Sequence, residues 1–180
     1  MTITIRPALP QDVHGVRYFG TVAWPATYGA DNDAEFVMSA LDEFWSAEAI
    51  GSAIRAGDVE VAESSDGIVG MVHTEELGED LVMWKVYVLP DQQRHGIGRQ
   101  LVRAAKDRAR REGRGLVTEY EPSNERVRGF YVREGFRATS APWPGTDAVW
   151  LRWDDHRCHE LDEGPGLDGE RGGVERLSAS

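Results

Sequence analysis

Gly96 and Gly98, one residue apart and flanked by Arg94 and Arg99, are well suited to holding an anion. They lie in the stretch from Val86 to Gln100, which opens on an apolar, β-branched run, meets Pro90, and ends in helical apolar spacing. The pattern reads as a strand, a tight glycine loop and the start of a helix. The first turn of a helix has N–H groups without intrahelical partners, and its dipole adds partial positive charge. Together they make a seat for phosphate. Glycine permits positive φ and close approach of backbone to a ligand. A diphosphate-bearing cofactor on the amides of Arg94 to Arg99 is one reading. A glycine turn that merely joins strand to helix is the other, and the strand–loop–helix context favours binding. A nucleoside-triphosphate loop is a weaker option, because no G-x-x-x-x-G-K-[ST] run is present.

The elements around this loop follow from periodicity. Thr2 to Arg6 alternates and reads as a first strand, ended by Pro7. Asp12 suits the N-cap of a helix through Val13, Val16 and Phe19, with Pro25 and Gly29 breaking the pattern. The aromatic segment Trp24 to Gly29 could line an acceptor pocket, or Trp24 and Tyr28 could simply pack on the core. Ala34 to Trp45 is a second helical stretch, and Ser46 starts a turn or helix stopped by Gly57. Val59–Glu63, Ile68–Glu75 and Leu81–Val88 read as an antiparallel meander, because their loops are too short for crossovers. Asp66-Gly67 marks the first hairpin and Gly70 a candidate bulge.

Beyond the glycine loop, Leu101, Val102, Ala105 and Ala109 form the buried stripe of a helix that stops at Gly113. Arg103, Lys106, Arg110 and Arg111 lie on its outer face or flanks. Gly115–Glu121 should run parallel to Leu81–Val88, since a helix intervenes. Asn124 can cap a helix to Arg133, and strands follow at Phe136–Thr139 and Ala148–Trp153.

Composition bounds the class. The 180 residues suit one domain, residues 1–153, plus an acidic glycine-rich tail, residues 154–180. The tail reads as poorly ordered, and the grouping of His156, Cys158 and His159 in it as incidental rather than a metal site. No metal is expected. The lone Cys158 excludes an intrachain disulfide and a cysteine-based zinc site. No apolar run of about 18 residues suggests a membrane span, and the N-terminal residues lack a signal-peptide pattern. The expectation is a cytoplasmic protein. The net charge of −11 argues against a nucleic-acid binder.

Two segments resemble the signatures of the GNAT acyl-CoA N-acyltransferase superfamily. Gln93-Arg94-His95-Gly96-Ile97-Gly98 is similar to its Q/R-x-x-G-x-G/A motif. Asn124-x-x-Val127-x-x-Phe130-Tyr131-x-x-x-Gly135-Phe136 resembles its N-x-x-A-x-x-F-Y-x-x-x-G-F motif, with Val127 in place of the usual alanine. The order of elements from Ile3 to Trp153 is also similar. The resemblance implies an α/β mixed sheet of about seven strands with about four helices, splayed after Leu81–Val88. It implies acetyl-CoA as co-substrate and an amine acceptor, and it admits a homodimer.

It also implies roles. Val86 and Val88 would face the pantetheine arm as a strand edge. The amides of Arg94, His95, Gly96, Ile97, Gly98 and Arg99, after Gln93, would hold the pyrophosphate, and Asn124 would contact the arm. Tyr131 matches the family's usual general acid, and a Val86 or Val88 N–H can serve as oxyanion donor. Many relatives carry a glutamate on the strand before the glycine loop, but Leu81–Val86 has none. Glu119 is the first candidate base, ahead of Glu121, Glu75 and His73, with a water chain an equal option. The expected function is N-acetyl transfer to a primary amine; the alternative is a non-catalytic acyl-CoA-binding module.

Overall fold

The computed structural model describes residues 2–122 and 124–155, so the grouping of His156, Cys158 and His159 and nearly all of the expected tail lie outside the described residues. The chain runs β1 (Thr4–Pro7), α1 (Val13–Tyr28), α2 (Ala34–Phe44), α3 (Ala47–Ala56), β2 (Val59–Ser64), β3 (Gly67–Leu77) and β4 (Asp80–Val88). It continues with α4 (Ile97–Glu112), β5 (Gly115–Tyr120), α5 (Glu125–Arg133), β6 (Arg137–Ala138) and β7 (Val149–Trp153). The seven strands form one sheet in the order β1-β2-β3-β4-β5-β7-β6. Only β4 and β5 pair in parallel, as the intervening helix requires.

Strand alternation divides the core. Ala62 and Val72 face α4 and α5, together with Leu101, Val102, Ala105 and Phe136. Their neighbours Val61 and Met71 face the other way, against Val16, Phe19, Ile50 and Trp45 of the α1–α3 layer.

Two local readings change, at Pro25 and Gly70, and one, at Ser46, is sharpened. The helix begun after Asp12 does not break at Pro25 but continues to Tyr28. The Gly29 N–H donates to Pro25 O at 2.8 Å, and the Thr27 hydroxyl donates to Ala23 O at 2.8 Å, so the end of the helix keeps its hydrogen bonds despite the proline. Ser46 caps a full helix through its side chain, which accepts from the Ala49 N–H, making five helices rather than about four. The bulge between β2 and β3 falls at Val69 rather than Gly70. Gly70 instead lets α4 close on the sheet: a Cβ there would stand 3.1 Å from Leu101 Cδ1 and from Tyr87 O.

The feature that shapes the site is a second bulge. His73 pairs with Lys85 and Thr74 with Met83, so Trp84 is an extra residue in β4. The parallel pairing of β4 with β5 runs from Asp80–Gly115 to Met83–Thr118 and stops there. The buried Thr118 hydroxyl donates to Met83 O at 2.9 Å and closes the last rung. Past it β5 stays with β7, while residues 84–88 of β4 stay with β3. The sheet parts at this point, as the splay expected from the sequence requires.

Arg108 fixes α4 to the β4 side of this opening. Its guanidinium lies 2.9 Å from Asp58, 2.9 Å from Glu112, and donates to both Thr74 O and Oγ1 at 2.9 Å. Its side chain is only 11% exposed. Arg108→Met is expected to lower the unfolding free energy by about 3 kcal/mol, because it strands a half-buried Asp58 carboxylate. Urea denaturation measures this; a change within about 0.5 kcal/mol would mean that the network contributes nothing net.

Candidate active site

The strand edge exposed by the parting of β4 and β5 has a defined polarity. The Leu89 N–H donates to Val69 O at 2.9 Å, so it points toward β3. Alternation then turns the N–H and C=O of Val88 and Val86 the other way, into the opening. The Gln93 side chain donates to Val88 O at 3.2 Å. The Val88 N–H and both Val86 groups are left facing the opening, with no strand of the described residues against them.

This edge leads into the glycine loop. Gly96, at φ 78°, is the N-cap of α4, and Arg94 is the one non-glycine residue with positive φ among those described, at 65°. The first backbone donation of α4 is Gln100 N–H to Gly96 O, at 3.1 Å. Among the described residues, no backbone acceptor meets the N–H groups of Arg94 through Arg99. These N–H groups lie where the sequence leads one to expect an anion seat. A Cβ on Gly98 would stand 3.7 Å from Phe130 Cζ and 3.8 Å from Val88 Cγ2, so this glycine lies between the strand edge and α5. His95 stays exposed, its Nδ1 3.3 Å from Gln92 O. Arg99 flanks the loop and is largely exposed, and its Nε lies 3.3 Å from Glu134 Oε1, so a carboxylate shares its charge.

Asn124 precedes α5 but makes no capping hydrogen bond with its side chain. Its backbone does the work instead, with Asn124 O accepting from the Val127 N–H at 3.1 Å. The amide is therefore available to a ligand. Tyr131 projects from α5 into the core cluster that Val86, Val88 and Phe130 pack against. It is 5% exposed, with Phe130 and Phe136 rings each centred 5.4 Å away. Burial pushes its phenol up to about 12, against the pull of the Thr118 hydroxyl beside it.

Glu119 follows Thr118 and so points to the opposite face of β5, across from Trp150. It is half-buried, and burial and then Glu121 raise its carboxyl above the usual range. Glu121 itself is exposed. Trp84 lies on that same face, its ring centred 6.1 Å from Trp150 and 6.3 Å from Trp143. Trp24 packs against Tyr28 at 4.2 Å, which supports the core reading of that pair. The Tyr87 hydroxyl donates to the Tyr28 hydroxyl at 3.4 Å, a contact that sequence spacing does not reveal.

His73 and Glu75 form a separate cluster. His73 Nε2 is 3.1 Å from Glu75 Oε1, and Glu75 Oε2 accepts from Trp84 Nε1 at 2.8 Å. Ligand atoms of Asp58, His73 and Glu75 lie within 4.8 Å of one another. However, Arg108 holds Asp58, and Lys85 Nζ sits 3.5 Å from His73 Nδ1, so cations of the chain already occupy that space.

The comparisons agree with this geometry. A family model described as an acetyltransferase (GNAT) domain matches residues 55–138. That span holds the parted strand, the glycine loop and Tyr131. Residues 55–138 thus match a GNAT acetyltransferase domain. Among solved structures, it is similar to the PaiA N-acetyltransferase from Thermoplasma acidophilum in complex with coenzyme A. The TM-score is 0.77 at 18% identity, over 84% of this chain and 98% of that one. Naa50 from Arabidopsis thaliana, in complex with the bisubstrate analogue CoA-Ac-MVNAL, matches with a TM-score of 0.61 at 15% identity, over 86% and 100%. A GNAT-family acetyltransferase from Listeria monocytogenes matches at 0.65 and 16%, over 84% and 94%. A comparison with curated proteins finds no match. This GNAT domain places the chain among the acyltransferases. No helix of the described residues is long and apolar enough to cross a membrane.

His73 gives a pH test of the site's packing. Burial, then Lys85, lower its imidazole to about 4, outweighing the Asp58 carboxylate. Its folded value lies below its unfolded one, so the stability it contributes is complete above pH 6.5 and is lost as pH falls toward 4. The loss expected across this window is about 3 kcal/mol. Denaturant titrations at several pH values should show His73→Phe with a shallower acid slope than the parent; identical slopes would place the imidazole in water.

Proposed function

We propose that this chain transfers an acetyl group from acetyl-CoA to a primary amine of a small molecule or protein, with residues 1–153 as the catalytic unit. One observation carries the reading. The unpaired edge of Val86 and Val88 runs directly into the unpartnered amides of Arg94 through Arg99. That is one track with hydrogen-bonding groups for a pantetheine arm and an anion seat at its end for a pyrophosphate. Two solved structures similar to the chain hold coenzyme A or a CoA-linked analogue, which supports this co-substrate.

The chemistry follows from the track. With the pyrophosphate on the loop beyond Val88, the thioester lies toward Val86, near the fork. The amine nitrogen attacks the thioester carbon, and the Val86 N–H meets the oxygen as it gains charge. The face of Glu119 and Trp84 is open to the acceptor. Glu119, its carboxyl raised, takes the proton that the nitrogen loses. Collapse breaks the C–S bond, and Tyr131 donates to the departing sulfur. Its raised pKa keeps the phenol protonated until that charge develops. Asn124 steadies the arm.

Calorimetry with acetyl-CoA and thiol release over an amine panel test this reading. A folded sample that binds no acetyl-CoA would overturn it, and binding without thiol release for any amine would leave only a binding module. Gly98→Trp should abolish binding by filling the gap between Val88 and Phe130, while Gly98→Ala should retain it.

Tyr131→Phe is expected to lower kcat about a hundredfold with little change in the KM for acetyl-CoA. An unchanged kcat and pH profile would remove Tyr131 from the chemistry. Glu119 must be ionised to act, so kcat/KM should rise with pH through a value above that of an ordinary carboxyl. Glu119→Gln should flatten that limb.

A further inference from the structure

The bulge in β4 sets two consecutive side chains on one face of the sheet. Met83 and Val86 both pack in the cluster under α4 and α5, although two residues separate them. Trp84 and Lys85 between them therefore both turn to the other face, as an extra residue in one strand requires. Trp84 packs against Trp150 there. Lys85 lies under the end of α2, its Nζ 5.8 Å from the ring centres of Phe44 and of Trp45. The next residue is Val86, at the unpaired edge, and Glu119 stands on the same face of the other arm of the fork.

This lysine is a buried cation without a counter-charge. It is half-buried, and its Nζ lies 3.5 Å from Nδ1 of His73, its cross-strand partner. Among the described residues, no carboxylate forms an ion pair with it. Asp58 is held by Arg108 at 2.9 Å, and Glu75 Oε1 lies 3.1 Å from the far nitrogen of His73. From the end of α2 it faces only the Phe44 and Trp45 rings. Burial lowers the Lys85 amine, and Glu75 restores only part of the loss. His73, lowered to about 4, is neutral at pH 7, so its Nδ1 can accept an N–H from Lys85 and hold the nitrogen in place.

A primary alkylamine reaches the fork as an ammonium, because its ordinary value is close to the lysine value of about 10.4. It must lose one proton before it can attack and a second as the amide forms. Glu119 serves the second. We propose that Lys85 takes the first, converting the bound ammonium into the neutral amine that attacks the thioester. The ammonium N–H bond breaks, its electron pair stays on the acceptor nitrogen, and the proton goes to the lone pair of Lys85. Lys85 gives that proton to water when the product leaves. An arginine could not fill this place, because a guanidinium does not deprotonate in proteins. The role rests on the acetyl-CoA reading.

Two measurements test it. Carbon-13 NMR of lysine-labelled protein follows Lys85 directly, since Lys106 is the only other lysine and the Lys85→Arg spectrum assigns the pair. Lys85 should titrate below the ordinary lysine range; titration within or above that range overturns the proposal. The second measurement compares thiol release with an alkylamine and with its fluorinated counterpart, which is already neutral at pH 7. Lys85→Met and Lys85→Arg should each slow the alkylamine about a hundredfold at pH 7, the scale of a general base, and recover as pH rises toward the acceptor's own value. With the fluorinated amine the loss should be about tenfold smaller. Equal losses with the two amines, or no loss with the alkylamine, overturn the role of Lys85 while leaving acetyl transfer intact. A folded parent that releases no thiol with any amine counts instead against the acetyl-CoA reading and, with it, this role.

Discussion

The structure depends on where β4 and β5 stop pairing. Four residues of β4 pair with four of β5, and the Thr118 hydroxyl bonded to Met83 O ends the ladder. The extra residue at Trp84 then bends β4 along β3, while β5 is held by β7. A sheet that parts leaves polar backbone without partners, and such groups are costly unless something binds them. Here the backbone groups of Val86 and Val88 face the gap beyond the last β4–β5 rung, with Gly98 of the glycine loop lying between Val88 and Phe130. In the proposed function, ligand recognition and catalysis rest on the same break: the arm that satisfies the edge is also presented to the groups that react.

In the proposed function, the two faces of the fork divide the labour. On the α4–α5 face, Val86, Val88 and Tyr131 share an apolar cluster with Leu101 and Phe136, which suits a long, largely apolar arm. On the other face, Glu119 shares a side with Trp84 and Trp143, whose rings pack on the buried Trp150; a carboxylate beside aromatic rings would suit an incoming amine. Alternation along β5 produces this division: Thr118 faces one side and Glu119 the other.

Much of this was legible in the sequence, because it is written in local rules. Period-two runs marked the meander, the helix between β4 and β5 required their parallel pairing, and Gly96 and Gly98 announced the loop. Other features depend on contacts between distant segments. Pro25 reads as a helix stop, yet α1 continues past it with Thr27 and Gly29 bonded to the preceding turn. Gly70 reads as a bulge, yet its role is to admit Leu101 and Ile97 of α4. Arg99 reads as a cation flanking the loop, and its contact with Glu134 at the end of α5 is not visible in the sequence. The bulge at Trp84 leaves no mark in composition. Side-chain electrostatics were least legible: the low value of His73 and the high value of Tyr131 come from burial that only the packed fold creates.

In the proposed function, the edge of β4 past the fork and the amides of the glycine loop bind one extended ligand together. Amide hydrogen exchange, followed residue by residue with and without coenzyme A, tests it most directly. The expected result is joint slowing at Val86, Val88 and residues 94–99, with Thr74 and Val82 unchanged because their N–H groups already have partners, Thr74 in Asp58 O and Val82 within the sheet. Slowing at the loop without any at Val86 and Val88 would contradict it, because the loop would then be a phosphate site unconnected to the parted strands.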